Sequence, residues 1–142
     1  MSERILVAMD DSPLGQESLA YALDTFPDAR ITVVHVAYPE IDMLPPDASE
    51  VYEAALSDLD GVGDETANTV FKTIRDLAGD RDLTVTYLLG ETDRRLVEYV
   101  EDGEFDHVVM GTHGREGLAR LLIGSVAETV VRQTDLPTTL VK

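Results

Sequence analysis

Short runs rich in β-branched and apolar residues alternate along this chain with stretches of helical periodicity, and no other feature restricts the fold as much. The runs are Arg4 to Met9, Ile31 to Val36, Leu83 to Leu88, Val108 to Met110 and Pro137 to Val141. Each is short, bounded by turn residues, and reads as a buried or edge strand. Between the first two, Ser12-Pro13 forms an N-cap and N1 pair, and Leu19, Ala22, Leu23 and Phe26 fall on one helical face before Pro27. A second helical pattern is expected from about Val51 to Leu77, marked by Tyr52, Ala55, Leu56, Leu59, Val70, Ile74 and Leu77, with Gly61 and Gly63 as places for a kink or break. Leu96, Val97 and Val100 mark a third helix, with Gly103 at its C-terminal end. Strand and helix alternation of this kind points to a parallel sheet with helices on both faces. In such sheets ligands bind at the carboxyl ends of the strands, which is where Asp10 falls.

The segment Val108 to Val131, VVMGTHGREGLARLLIGSVAETVV, carries the chemistry. A strand stops at Gly111, Gly114 follows, and Gly124-Ser125 stands immediately before a helical pattern. Glycine at the strand end tolerates a sharp turn, and glycine at the later positions lets a ligand approach the backbone without a Cβ in the way. The first amides of the helix are unpaired and its dipole favours an anion, so the arrangement suits phosphate. Structural roles compete. Gly111 and Gly114 also suit plain turns. Ser125-Val126-Ala127-Glu128 reads as a capping box, with Ser125 as N-cap. Arg115 and Arg120 suit phosphate contacts or solvated surface positions equally.

The spacing G-x2-G-x9-G-S, formed by Gly111, Gly114, Gly124 and Ser125, closely resembles the signature of the ATP-binding branch of the universal stress protein family. The likeness runs to both ends of the chain and is weakest between about Tyr38 and Asp82. The resemblance implies one domain over residues 1–142. Its expected fold is a Rossmann-like α/β fold of the adenine nucleotide alpha hydrolase type: an open five-stranded parallel sheet of order 3-2-1-4-5, helices on both faces. That order puts the reversal between strands one and four and sets Asp10 beside Gly111. The nucleotide site so implied takes in Ala8, Met9, Asp10, Val36, Met110, Gly111, Gly114, Arg115, Gly124, Ser125 and Val126. Adenine is expected near Val36, ribose near Asp10 and Gly111, and phosphates at Gly114, Gly124 and Ser125. ATP is the expected ligand, with magnesium a candidate companion held by Asp10 and phosphate oxygens. The family's dimers form through the final strand, so a homodimer paired through Thr138 to Val141 is expected. Asp11 stands where the family more often has a small residue.

Composition narrows the partners. Asp plus Glu number 28 against 11 Lys plus Arg, a formal net charge of −17, and the lysines are Lys72 and Lys142 alone. Such a surface repels nucleic acid and anionic membranes. It fits a halophilic source, where concentrated salt screens self-repulsion. The absence of cysteine excludes a disulfide framework and thiolate metal sites. The sequence contains no apolar run long enough to span a membrane and no signal-peptide pattern, so a cytoplasmic location is expected. His35 reads as a satisfied core histidine, and His35, His107 and His113 lack zinc-ligand spacing.

Other functions find less support. There is no P-loop, no G-x-G-x-x-G after the first strand and no G-x-S-x-G elbow. A phosphorylation-switched receiver needs an acceptor aspartate after strand three, where this chain reads Tyr87-Leu88-Leu89-Gly90. A structural homodimer without nucleotide and a slow ATPase remain as alternatives. No residue stands out as a base for water or as an arginine finger.

Overall fold

A computed structural model of the chain describes residues 3–37, 65–112 and 124–142, and the backbone of 51–55. The elements in order are β1 (Arg4–Ala8), α1 (Pro13–Thr25), β2 (Arg30–Ala37), β3 (Val51–Ala55), α2 (Glu65–Ala78), β4 (Thr84–Leu89), α3 (Thr92–Asp102), β5 (His107–Gly111), α4 (Ser125–Gln133) and β6 (Thr138–Val141). They build one sheet of order β3-β4-β2-β1-β5-β6. All neighbouring strands pair parallel except β3, which runs antiparallel to β4. The parallel strands, counted among themselves, therefore stand in the order 3-2-1-4-5.

The sheet is buried on both faces because successive strand residues serve different cores. Ile5, Val7, Ile31, Val33, Val85 and Val109 point to one side, where α1 and α2 cover them with Leu19, Ala22, Val70, Phe71 and Ile74. Leu6, Val34, Leu88, Val108 and Met110 point to the other, beneath Leu96, Val97 and Val100 of α3 and Ala127 and Val130 of α4. This is why the strands read as near-continuous apolar runs. Ile5, Leu6 and Val7 are each 0 % exposed, so the central strand contributes to both cores at once.

One local expectation is corrected, and another is met in an unexpected way. Residues 51–55 do not begin a helix: Val51–Ala55 is the antiparallel edge strand, with Tyr52 opposite Tyr87, and the second helix starts only at Glu65. Tyr52 and Ala55 fit a helical spacing, but pairing with β4 prevailed over local periodicity, as tertiary context does for short segments. Gly103 does end α3, yet with φ −92°, not in the left-handed region. Space explains it: a Cβ there would lie 2.4 Å from the Phe105 ring. The left-handed glycines among the described residues are Gly79 and Gly90.

Far from the carboxyl ends of the strands, Arg81 fastens the turn between α1 and β2. Its guanidinium donates to the carbonyls of Leu23 at 2.9 Å, Phe26 at 2.6 Å and Ala29 at 2.9 Å. One planar fork thus satisfies carbonyls that the helix end leaves without intrahelical donors.

Candidate functional site at the carboxyl ends of the strands

The sheet changes direction of growth between β1 and β5. β2 lies on one side of β1 and β5 on the other, with Leu6 paired to Val108 and Val7 to Val109. Continued past the strand ends, that register sets Met9 level with Gly111 and Asp10 level with Thr112. Asp10 and Gly111 are thus brought to one rim, as the expected order requires, at the kind of crevice where open α/β sheets bind ligands.

Ala8 and Met9 form the floor on the β1 side. Ala8 packs against one core and Met9, 4 % exposed, against the other. The Met9 amide donates to the Val34 carbonyl at 2.9 Å, and the Met9 carbonyl meets His35 Nδ1 at 3.0 Å. His35 is buried, stacked on Tyr87 with ring centroids 5.9 Å apart and edge-on to Phe71 at 6.4 Å. It serves as a core histidine, as its place within a strand suggests. Val36 follows on β2, half-buried and paired with Leu88.

Asp10 turns the chain into α1. Its Oδ1 accepts the Ser12 amide at 3.0 Å and the Ser12 hydroxyl in a short contact. Ser12, 3 % exposed, is the N-cap of α1, and its Oγ accepts the Gly15 amide at 3.2 Å. The Ser12-Pro13 reading of this helix start is correct. The tie from Ser12 back to Asp10, and the glycine beneath it, were missed. The signal available was the Asp-x-Ser spacing, which permits a side chain to bond the backbone two residues on.

On the β5 side, Met110 is buried and Gly111 closes the strand opposite Val141. Gly111 is not among the glycines of positive φ, so it is extended strand and not a left-handed turn. Thr112 continues the ladder, its amide donating to the Val141 carbonyl at 2.9 Å. The Thr112 carbonyl then accepts the Gly124 amide at 2.6 Å. That bond fastens the beginning of α4 to the end of β5.

The start of α4 corrects a further expectation. Ser125 is not the N-cap. Gly124 holds that place with φ −65° and ψ 157°, and Ser125 is the first helical residue, exposed. The capping box therefore does not form: the Glu128 amide bonds the Gly124 carbonyl at 2.9 Å, and the cap brings no side chain to the first turn. Val126 is half-buried against the α3–α4 core. Gly114 and Arg115 lie outside the described residues, as do His113 and Arg120.

Among the described residues no group of three or more His, Asp or Glu side chains gathers as metal ligands, and no helix is long and apolar enough to cross a membrane.

Universal stress protein MJ0531 of Methanocaldococcus jannaschii is 26 % identical over 146 residues, covering 99 % of this chain and 82 % of its own. The solved structure of universal stress protein UspA from Lactobacillus plantarum superposes with a TM-score of 0.74 at 19 % identity, over 99 % of this chain and 97 % of that one. The universal stress protein from Archaeoglobus fulgidus, solved in complex with dAMP, gives a TM-score of 0.60 at 17 % identity over 100 % and 98 % of the two chains. The model of the universal stress protein family matches residues 1–142, and this chain belongs to that family.

Proposed function

We propose that this single-domain protein is a nucleotide-binding regulator of the stress response, acting in the cytoplasm, and that its ligand is ATP. The observation that carries the reading is the bond from Gly124 to Thr112, which fixes a helix start without a capping side chain at the rim that also bears Asp10. A glycine at the N-cap puts no Cβ between a phosphate and the first amides, where the helix dipole favours negative charge. The residues present therefore fit a nucleotide: adenine against Val36, ribose at Asp10 and Gly111, phosphates at Gly124, Ser125 and the sequence-matched Gly114. Arg115 is assigned to the same phosphates from its place in the motif. The dAMP complex of the Archaeoglobus fulgidus relative supports an adenine nucleotide on this fold.

Magnesium supplies charge neutralisation when bound with the triphosphate, a need sharpened by the net charge of −17. Phosphate oxygens are the ligands assigned to it, since the Asp10 carboxylate is given to Ser12 and the ribose. Mass spectrometry of nucleotide released from purified protein, followed by calorimetry with magnesium-ATP, tests the reading. Wild-type protein that neither carries nor binds an adenine nucleotide overturns it.

The same reading includes a homodimer. β6 is the last strand of the sheet and bonds β5 on one side only, an edge that suits antiparallel pairing with a second copy. Sedimentation at high micromolar protein in molar potassium chloride should give the dimer mass. A monomer under those conditions excludes the pairing.

A further inference from the structure

We propose that Ser12 and Gly15 are positioning residues for Asp10, holding its carboxylate as a preset acceptor for ribose hydroxyls. The inference rests on the nucleotide reading above and deepens it at one subsite.

Both oxygen-binding groups of Ser12 converge on a single atom. Its amide and its hydroxyl each donate to Asp10 Oδ1, while the same hydroxyl oxygen accepts the Gly15 amide at 3.2 Å. Ser12 is 3 % exposed and its bond with Gly15 is buried, while its two bonds to Asp10 are part-buried at the rim. A carboxylate has about four acceptor sites, so one group can be held by Ser12 and also take other donors. The bonds to Ser12 fix the carboxylate's rotamer, which a solitary rim aspartate would not have. Entropy that a ligand would otherwise lose in ordering the side chain is already spent by the fold.

Gly15 supplies the second half of the argument. It is buried in the first turn of α1, where alanine would ordinarily favour the helix. Here a Cβ would stand 2.8 Å from the Asp10 carbonyl oxygen, 3.1 Å from its amide nitrogen and 3.0 Å from Oδ1. Two of those atoms are backbone and cannot swing aside. The glycine therefore serves the seating of Asp10 against the helix and not the helix itself. This explains a residue of low helix propensity inside α1.

Calorimetry with ATP and with 2′,3′-dideoxy-ATP, at one salt concentration, separates positioning from general damage. The proteins are wild type, Ser12→Ala, Ser12→Thr and Gly15→Ala, each checked for helix content by circular dichroism. Wild type should prefer ATP by about tenfold or more, the scale of a hydrogen bond to a charged group. Ser12→Ala and Gly15→Ala should lose most of that preference through weaker ATP binding, with dideoxy-ATP affinity unchanged. Ser12→Thr, which keeps the hydroxyl, should restore it. A purely structural defect lowers both ligands together. If Ser12→Ala does not fold, Gly15→Ala decides alone. The proposal is overturned if the alanine variants keep the wild-type ratio, or lower both affinities equally, or if wild type binds the two ligands equally. In that last case the nucleotide reading survives. Wild type that binds neither ligand removes the nucleotide reading and this inference with it.

Discussion

Helices α1 and α4 begin at the same rim of the sheet, one after β1 and the other after β5, and their first turns are finished in opposite ways. At α1 a serine caps the amides and an aspartate is tied to the serine. At α4 the cap is glycine and the first turn faces the rim without a capping side chain. α3 gives a useful contrast, since its N-cap, Glu91, also makes no side-chain cap bond. Glu91 is exposed and carries a charge that repels phosphate, whereas Gly124 is buried and stitched to β5. The comparison teaches that a bare helix start becomes a candidate anion seat through its anchoring and its surroundings, not through its dipole alone.

The largest effect should come from closing the bare start. Gly124→Val leaves an extended φ and ψ that valine accepts, so α4 should persist, but its side chain should intrude on the proposed phosphate position. Overpacking typically costs ~1–3 kcal/mol, so magnesium-ATP affinity should fall by about a hundredfold. Equal affinity in two folded proteins would reduce the glycine to a turn residue.

Removing the clasp at the opposite rim should separate stability from binding. Arg81→Ala takes donors from the Leu23, Phe26 and Ala29 carbonyls. Hydrogen bonds to charged groups contribute about 1.5–3 kcal/mol, so the midpoint of urea unfolding should drop by a comparable amount of stability. ATP affinity measured well below that midpoint should not change. If it does, the two rims are coupled.

Melting curves then compare the two serines. Ser12→Ala removes a true N-cap and should cost about 0.5–2 kcal/mol. Ser125→Ala should cost less than about 0.5 kcal/mol, because an exposed first-turn serine is not the cap. Equal losses would mean that Ser125 caps α4 in solution. Raising potassium chloride should lift every midpoint by screening a net charge of −17. The gap between the two serine variants should persist, since the bond by which Ser12 caps α1 is buried. A midpoint that is flat or falls with salt would remove the halophilic reading.

The smallest effect belongs to α3. Hydrogen bonds from Arg95 first and Arg94 second hold the Glu98 carboxyl below its ordinary range. A lowered folded pKa stabilises above the unfolded value of 4.5 and loses that contribution as pH falls through the folded value. Glu98→Gln should therefore lower stability slightly at neutral pH, and its difference from wild type should vanish as pH falls through the acid limb. A large loss at neutral pH would show a role beyond this solvent-exposed ion pair.

The strands were legible because residues buried on both faces must be apolar at nearly every position, as at Ile5-Leu6-Val7. Their order was not written in that pattern; it came with the motif's resemblance. β3 escaped notice since Val51–Ala55 includes two alanines and a glutamate, and what makes it a strand is β4 beside it. At the candidate site, Asp10 and Gly111 could be placed from strand ends. The cap of α4 could not, because glycine and serine at adjacent positions both suit an N-cap and only the extended backbone of Gly124, whose carbonyl accepts the Glu128 amide, distinguishes them. Gly15 was illegible for the same reason: its meaning lies in the distance to Asp10, which no local rule encodes.

The bond between Gly124 and Thr112 can also be viewed through polymer physics. It brings Thr112 and Gly124, twelve positions apart in the chain, to one point and so closes a ring. The entropy of closing such a ring grows only with the logarithm of its length, about 0.6 kcal/mol for each doubling. What the closure fixes is therefore its ends, where the Gly124–Thr112 bond holds the first amides of α4 at the end of β5.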